Sequence, residues 1–210
     1  MITVIYFWRI KRIYLPLAIL NMATNKFLLK VMLGKSFIKM LGTGKGESFT
    51  PKDADSFRWG ILITTKESNI KKFDSSFVIK LWQKIARSQY RAVLRPISSH
   101  GVWSGKTPFE SEKFEWNGKV AAITRARIVW SKNLQFWRAV PPVTESLHKS
   151  AGLISAIGIG EAPIGLQGTF SLWENSQALK QFAYQGQAHL QAIAATETNK
   201  WYSEELFARF

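Results

Sequence analysis

Leu41-Gly42-Thr43-Gly44 and Ile157-Gly158-Ile159-Gly160 are the two strings on which the fold turns. Each closes an apolar strand-like run, and the pattern around each is the same. Outward from the first, the periodicity predicts a strand at 2–9, a helix at 16–33, strands at 36–42 and 57–65, a helix at 68–88 and a strand at 90–97. Outward from the second, it predicts a strand at 119–130, a helix at 133–149, strands at 152–160 and 165–173, a helix at 175–197 and a strand at 200–208. Both series read β-α-β-β-α-β, the ferredoxin-like unit. Phe73 and Phe182 fall early on the last helix of each series. Such a unit leaves one sheet face bare, and two units bury theirs against each other. The expected fold is therefore α+β, two tandem ferredoxin-like halves forming a dimeric-type α+β barrel within one chain. Residues 1–98 form the first half and 119–210 the second. Residues 99–118, rich in Gly, Ser and charge and broken by Pro108, link them.

Gly42, Gly44 and Gly46 also resemble part of a dinucleotide fingerprint. The G-x-G-x-x-G spacing is absent, however, and Pro51, Asp53 and Asp55 follow where a helix should start. Repetition of the string in both halves favours tight backbone turns instead.

The chain has 210 residues, 46% of them hydrophobic, enough for a sizeable core, and no cysteine. Disulfides, zinc fingers and cysteine-ligated clusters or hemes are thereby excluded. Net charge is +15 and unevenly spread. Residues 1–100 carry 18 Lys/Arg against 5 Asp/Glu, a net +13, whereas residues 101–210 carry 11 against 9, a net +2. A basic half attracts anionic lipid, an acidic protein or nucleic acid, unless it is merely a solvated surface. The apolar stretch 13–22 behind Arg9, Lys11 and Arg12 imitates a secretion signal. It is too short to span a bilayer, is preceded by the apolar run 2–8 and lacks a small-residue cleavage site, so a cytoplasmic protein is expected.

Of the three histidines, His100 falls in a Gly-rich loop and His148 at a helix end, both read as surface or structural residues. On the last helix, Phe182, Gly186, His189 and Ile193 are spaced 4, 3 and 4 and share a face with Leu179. That face should point inward, and Gly186 leaves room beside the imidazole for a flat macrocycle. The alternative is a core histidine satisfied by a neighbour. Heme is the cofactor that one protein ligand and apolar contact can hold. The first half has Lys80 and Leu81 at the equivalent turn, so one site per chain is the natural count.

Several long strings resemble the spheroidene monooxygenase family. These are Phe136-Trp137-Arg138-Ala139-Val140-Pro141-Pro142, Ser155-Ala156-Ile157-Gly158-Ile159-Gly160-Glu161-Ala162-Pro163, Phe182-Ala183-Tyr184 with His189, and the C-terminal Trp201-Tyr202-Ser203-Glu204-Glu205-Leu206-Phe207-Ala208-Arg209-Phe210. Lys39-Met40-Leu41-Gly42-Thr43-Gly44 and Gly101-Val102-Trp103-Ser104-Gly105 extend the likeness into the first half. The resemblance implies an acyclic carotenoid 2-ketolase, a heme enzyme using dioxygen and reduced ferredoxin. It implies a b-type heme (iron) on His189, packed by Gly186, Phe182 and Ile193. Distal donors would come from Arg138, Glu161, Gln167 and Ser171. Arg138 is the first choice because a fixed cation stabilises developing negative charge without a proton. Ser171 alternates with Phe170 and Leu172, which leaves its direction undecided. Phe136, Trp137, Phe170 and Trp173 cluster near the second-half sheet, as core or as lining for an elongated apolar substrate. The basic half would meet anionic headgroups at the inner membrane or an acidic ferredoxin.

Two rivals share the topology. An RNA-binding module would need K/R-G-F/Y-G/A-F-V-x-F/Y on a third strand. Here those strands read Phe57-Arg58-Trp59-Gly60-Ile61-Leu62-Ile63 and Leu166-Gln167-Gly168-Thr169-Phe170-Ser171-Leu172, and neither fits, so no nucleic-acid partner is expected. The other rival is a heme dehydratase of the aldoxime type, which would need no external electrons.

Overall fold

A computed structural model describes residues 1–112, 114–161, 166–185 and 187–210; of residues 166, 185, 187–189 and 193 the backbone alone is described. Ile2–Ile10 (β1) is β-branched and aromatic except for Arg9, and eight of its nine residues are buried, as in a strand covered on both faces. The first half continues through Leu15–Leu33 (α1), Phe37–Gly44 (β2), Ala54–Thr65 (β3), Ile70–Asp74 (α2), Phe77–Ile85 (α3) and Ala86–Leu94 (β4). Ser98–Gly101 (β5) lies between the halves. The second half comprises Val120–Ile128 (β6), Asn133–His148 (α4), Leu153–Gly160 (β7), Leu166–Trp173 (β8), Ser176–Gln185 (α5), Gln187–Asn199 (α6) and Tyr202–Arg209 (β9).

The strand order is β4-β1-β3-β2-β7-β8-β6-β9-β5, antiparallel throughout. Each half shows the ferredoxin-like order, mirrored about the β2–β7 seam. At that seam Gly42 faces Gly160 and Thr43 faces Ile159. The two strings that reveal the duplication are thus each other's partners. A Cβ on Gly44 would lie 3.6 Å, an ordinary contact distance, from the Gly158 Cα. Just beyond it, Gly46 has φ +90°, and a side chain would meet the Ala156 carbonyl at 2.4 Å. The glycines serve close approach of two backbones as well as the turn.

The sheet curls so that its inner face closes on itself. Ile5, Phe7, Leu41 and Leu62 from the first half pack with Ile123, Ile159, Phe170, Leu206 and Ala208 from the second, and Phe7 and Phe170 have ring centroids 5.5 Å apart. The face on which an RNA-binding sheet stacks bases is here the barrel interior. Outside, α1, α2 and α3 cover the first half, and α4, α5 and α6 cover the second.

Several boundaries differ from the sequence reading, among them the strand expected at 90–97, which runs Ala86–Leu94. The helix expected at 68–88 is two helices, because Ser76 Oγ accepts from Ile79 N at 3.3 Å and caps α3. The helix expected at 175–197 is helical over both α5 and α6, with Gly186 between them outside the described residues. The linker 99–118 is partly core: His100 pairs with Phe207 where β5 extends the sheet, and Trp103 and Phe109 are buried in the barrel. No helix among the described residues is long and apolar enough to cross a membrane.

Candidate active site

The two halves share a topology and differ in what fills the layer between sheet and helices. In the first half the helix-facing positions hold Val4, Tyr6, Trp8, Ile61 and Ile63, all buried. Tyr6 stacks on Trp8 and Trp8 on Trp82, at 4.8 and 5.3 Å between centroids, so the layer is solid. In the second half the corresponding face carries Ala122, Thr124 and Ala126 on β6, Gly158 and Gly160 on β7, and Thr169 and Ser171 on β8. Short side chains cannot reach the helices, and a cavity of about 1050 Å³ remains. Thr124 is solvent-exposed on an otherwise mostly buried strand because it faces this space.

One end of the cavity is closed by core. Trp173 stacks on Phe182 at 5.4 Å, with Val120, Leu147 and Leu179 around them. Toward the other end Phe136 makes edge contacts with Trp137, Trp201 and Tyr202 at 4.8, 5.9 and 5.8 Å. The α4 wall includes Pro141 and Pro142, which remove helical bonds to the carbonyls of Trp137 and Arg138 beside the lining residues. Phe49, Thr50 and Pro51 reach over from the first half. Their loop is held by the buried Asp53 carboxylate, which accepts from the backbone of Gly46 at 2.9 Å, Glu47 at 3.1 Å and Phe49 at 3.3 Å.

Where β7 ends, Glu161 joins the cavity to a charged network in the barrel. One carboxylate oxygen accepts from Trp103 Nε1 at 2.6 Å and from Arg125 at 3.3 Å; the other accepts from Lys39. Arg125 also pairs with Glu204, which accepts from the Ser104 and Gly105 amides at 2.9 and 2.8 Å. Lys39 donates to Ser104 Oγ at 2.6 Å, and both cations lie over the Trp103 ring. Burial pushes the Glu161 carboxyl up, but bonds from Lys39 and Trp103 and the charges of Lys39 and Arg125 outweigh it and hold it below its ordinary range. Burial draws Lys39 down, and Glu161 opposes that.

The expected site residues separate into three groups. Gln167, Ser171, Glu161 and Phe182 all line the cavity. Ser171 shares its face with Thr169, since β8 pairs with β6 in unbroken register from 166 to 173, and its Oγ accepts from Trp173 Nε1 at 2.9 Å. Arg138 does not belong: it is exposed on α4, and the lining passes through Phe136, Trp137, Ala139 and Val140 on either side of it. Phe170 also points away, into the barrel against Phe7 and Tyr90. Gly186 and the side chains of His189 and Ile193 lie outside the described residues, though His189 and Ile193 fall within α6. His100 is exposed and borders the cavity; His148 is exposed with Nε2 3.3 Å from the Glu47 carbonyl.

Sequence reading missed Arg125, Glu204 and Lys39. Strand parity was the available signal, for Arg125 falls in step with Ala121 and Ile123, and Glu204 with Leu206 and Ala208, all inward.

No family profile matches the chain. Solved structures resemble it only distantly: one from Lactobacillus acidophilus NCFM has a TM-score of 0.41 and 12% identity, covering 99% of this chain and 91% of that one. Another, from Fusobacterium nucleatum, has 0.42 and 11%, covering 99% and 90%. Curated relatives are much nearer. Spheroidene monooxygenase of Cereibacter sphaeroides is 34% identical over 194 residues, 90% of this chain, and the chain spans 60% of that protein's length. The Rhodobacter capsulatus protein of the same name is 35% identical over 180 residues, 83% of this chain and 74% of its own. The one from Rubrivivax gelatinosus is 33% identical over 178 residues, 84% and 68%. With identity at this level over more than four fifths of its length, the chain belongs to the spheroidene monooxygenase family.

Proposed function

We propose that this chain is a heme-dependent monooxygenase that hydroxylates and then ketonises a linear carotenoid near one end, with a b-type heme on His189. The observation that carries the reading is the hollow second half, set against a solid first half of the same topology. The residues present fit a flat apolar macrocycle. Small side chains floor the space, aromatic ones wall it, and Trp201 Nε1 in the wall is a buried donor without a partner among the described residues. Ala192 and Thr196 line the cavity and follow His189 by three and seven positions on α6, the spacing of one helical stripe.

Heme, when bound, supplies the redox chemistry that divides dioxygen between substrate and water. The chain supplies the surroundings. Thr169 and Ser171 bring hydroxyl groups and Gln167 an amide to the sheet side of the cavity, where an oxygen-bearing group would be oriented. Arg125 borders the cavity through its strand, but its side chain points into the barrel, where Glu161 and Glu204 hold it; it steadies Glu161 at the cavity's edge and does not replace Arg138 as a cation facing the heme space. Phe136, Trp137 and Trp201 keep water from the reacting carbon and match an apolar polyene. Each hydroxylation consumes one dioxygen, two electrons and two protons, placing one oxygen on carbon and one in water. Two at the same carbon yield a geminal diol, which loses water to leave the ketone. Reduced ferredoxin, a one-electron donor, supplies the electrons.

The test is expression in cells that make acyclic carotenoids, with a ferredoxin present and isotopically heavy dioxygen supplied. Pigments should gain one oxygen, or one oxygen less two hydrogens, with the label retained in the alcohol. Unchanged pigments in heme-loaded cells would refute the carotenoid assignment. Turnover of a nitrogen–oxygen substrate without dioxygen or reductant would replace it with a dehydratase.

A further inference from the structure

Helix α1 is apolar on its outward side as well as its inward one. Pro16, Leu20, Ala23, Phe27 and Val31 follow one another at spacings of 4, 3, 4 and 4 and form one outward stripe, on which Phe27 and Val31 are 69% and 73% exposed. The inward stripe is Ala18, Asn21, Asn25, Leu29 and Leu33, and the side-chain nitrogens of Asn21 and Asn25 are buried without partners among the described residues. Packing against the sheet alone would favour the opposite arrangement. A helix apolar all round belongs in surroundings that are apolar all round.

Charge identifies what supplies the missing side. Residues 1–46 contain eight Lys/Arg and no Asp or Glu. Lys26 and Lys30 flank the stripe, Lys11 and Arg12 precede the helix, and Lys35 follows it. A second copy docked by a two-fold axis would bring these cations against their equivalents, so the face does not suit self-association. We infer that α1 is a membrane-docking face, whose apolar stripe enters the boundary between headgroups and acyl chains of an anionic bilayer while its flanking lysines reach the headgroups. Ile19 and Met22 on the same helix line the large cavity. Docking would therefore set the cavity close to the acyl layer, where a lipophilic substrate resides. That last step rests on the carotenoid reading; vesicle binding does not, since it requires neither cofactor nor pigment.

The test is flotation of the purified chain with vesicles of equal parts phosphatidylglycerol and phosphatidylcholine, and with phosphatidylcholine alone. Binding should be at least about tenfold stronger to the anionic vesicles and weaken as salt rises. Phe27→Glu with Val31→Glu, at positions already exposed, should cut it at least about tenfold with circular dichroism unchanged. The chain has no cysteine, so Phe27→Cys accepts a single environment-sensitive dye. Its emission should shift to the blue on anionic vesicles, and a dye at Trp116→Cys should not respond. Equal binding to both vesicles, binding unaffected by the double substitution, or an unshifted dye at position 27 would each overturn the inference. So would a dimer in solution that the double substitution dissolves while vesicle binding is absent.

Discussion

Glu161 takes Trp103 Nε1 and Arg125 on one carboxylate oxygen and Lys39 on the other, so a single side chain ties β2, the segment after β5, and β6 to the end of β7. Removing it leaves the buried Lys39 without a carboxylate and Arg125 with Glu204 alone. Glu161→Gln should cost about 3 kcal/mol near neutral pH, the scale seen when one member of a buried pair is lost. The pH dependence has a definite sign. A carboxyl held below its ordinary value of 4.5 contributes stability that is fully present above that pH and is lost as pH falls through the lowered value. Urea unfolding of both proteins should therefore show the gap narrowing as pH drops below 4.5. A gap constant across that range would mean that Glu161 is not held in the ionised form by its neighbours.

The elements were legible where one physical signal dominated. β1 read correctly because nine residues without Gly or Pro are rich in β-branched and aromatic side chains. The duplication showed because matching Gly-x-Gly strings close the second strand of each half, and those two strands pair at the seam. The break before α3 was hidden, since the helical period runs on through Ser75-Ser76 and the side-chain bond that interrupts it is local chemistry. Lining residues on β8 were found, and Arg138 was misplaced, for a related reason. The residue string around it marks the family, but only its phase on α4 decides which side faces the cavity, and Trp137 and Ala139 take that side. The hollow itself was not legible. It arises from short side chains on three strands that are adjacent only after folding. Filling it should separate fold from function: Thr124→Phe places an aromatic ring on a strand that tolerates one. Heme uptake should fall at least about tenfold, a change of about 1.4 kcal/mol. The thermal midpoint should stay level or rise. Undiminished uptake would put the heme elsewhere.

At the scale of the molecule, one topology occurs twice with different contents. The first half is solid, strongly basic and carries the helix with an apolar outer stripe; the second is hollow and near neutral. The seam and the Glu161 network hold them as one barrel. On the two proposals above, binding surface and reaction chamber would be divided between copies, with α1, which borders the cavity through Ile19 and Met22, next to both. The central claim is that the second half's hollow holds heme through His189. Spectroscopic titration of the purified chain with heme, alongside His189→Ala, His100→Ala and His148→Ala, tests it most directly. One heme per chain with a strong Soret band is expected, retained by His100→Ala and His148→Ala and lost or sharply weakened in His189→Ala. A His189→Ala protein that binds heme with an unchanged spectrum, or a band abolished instead by His100→Ala at the border of the same cavity, would contradict the account.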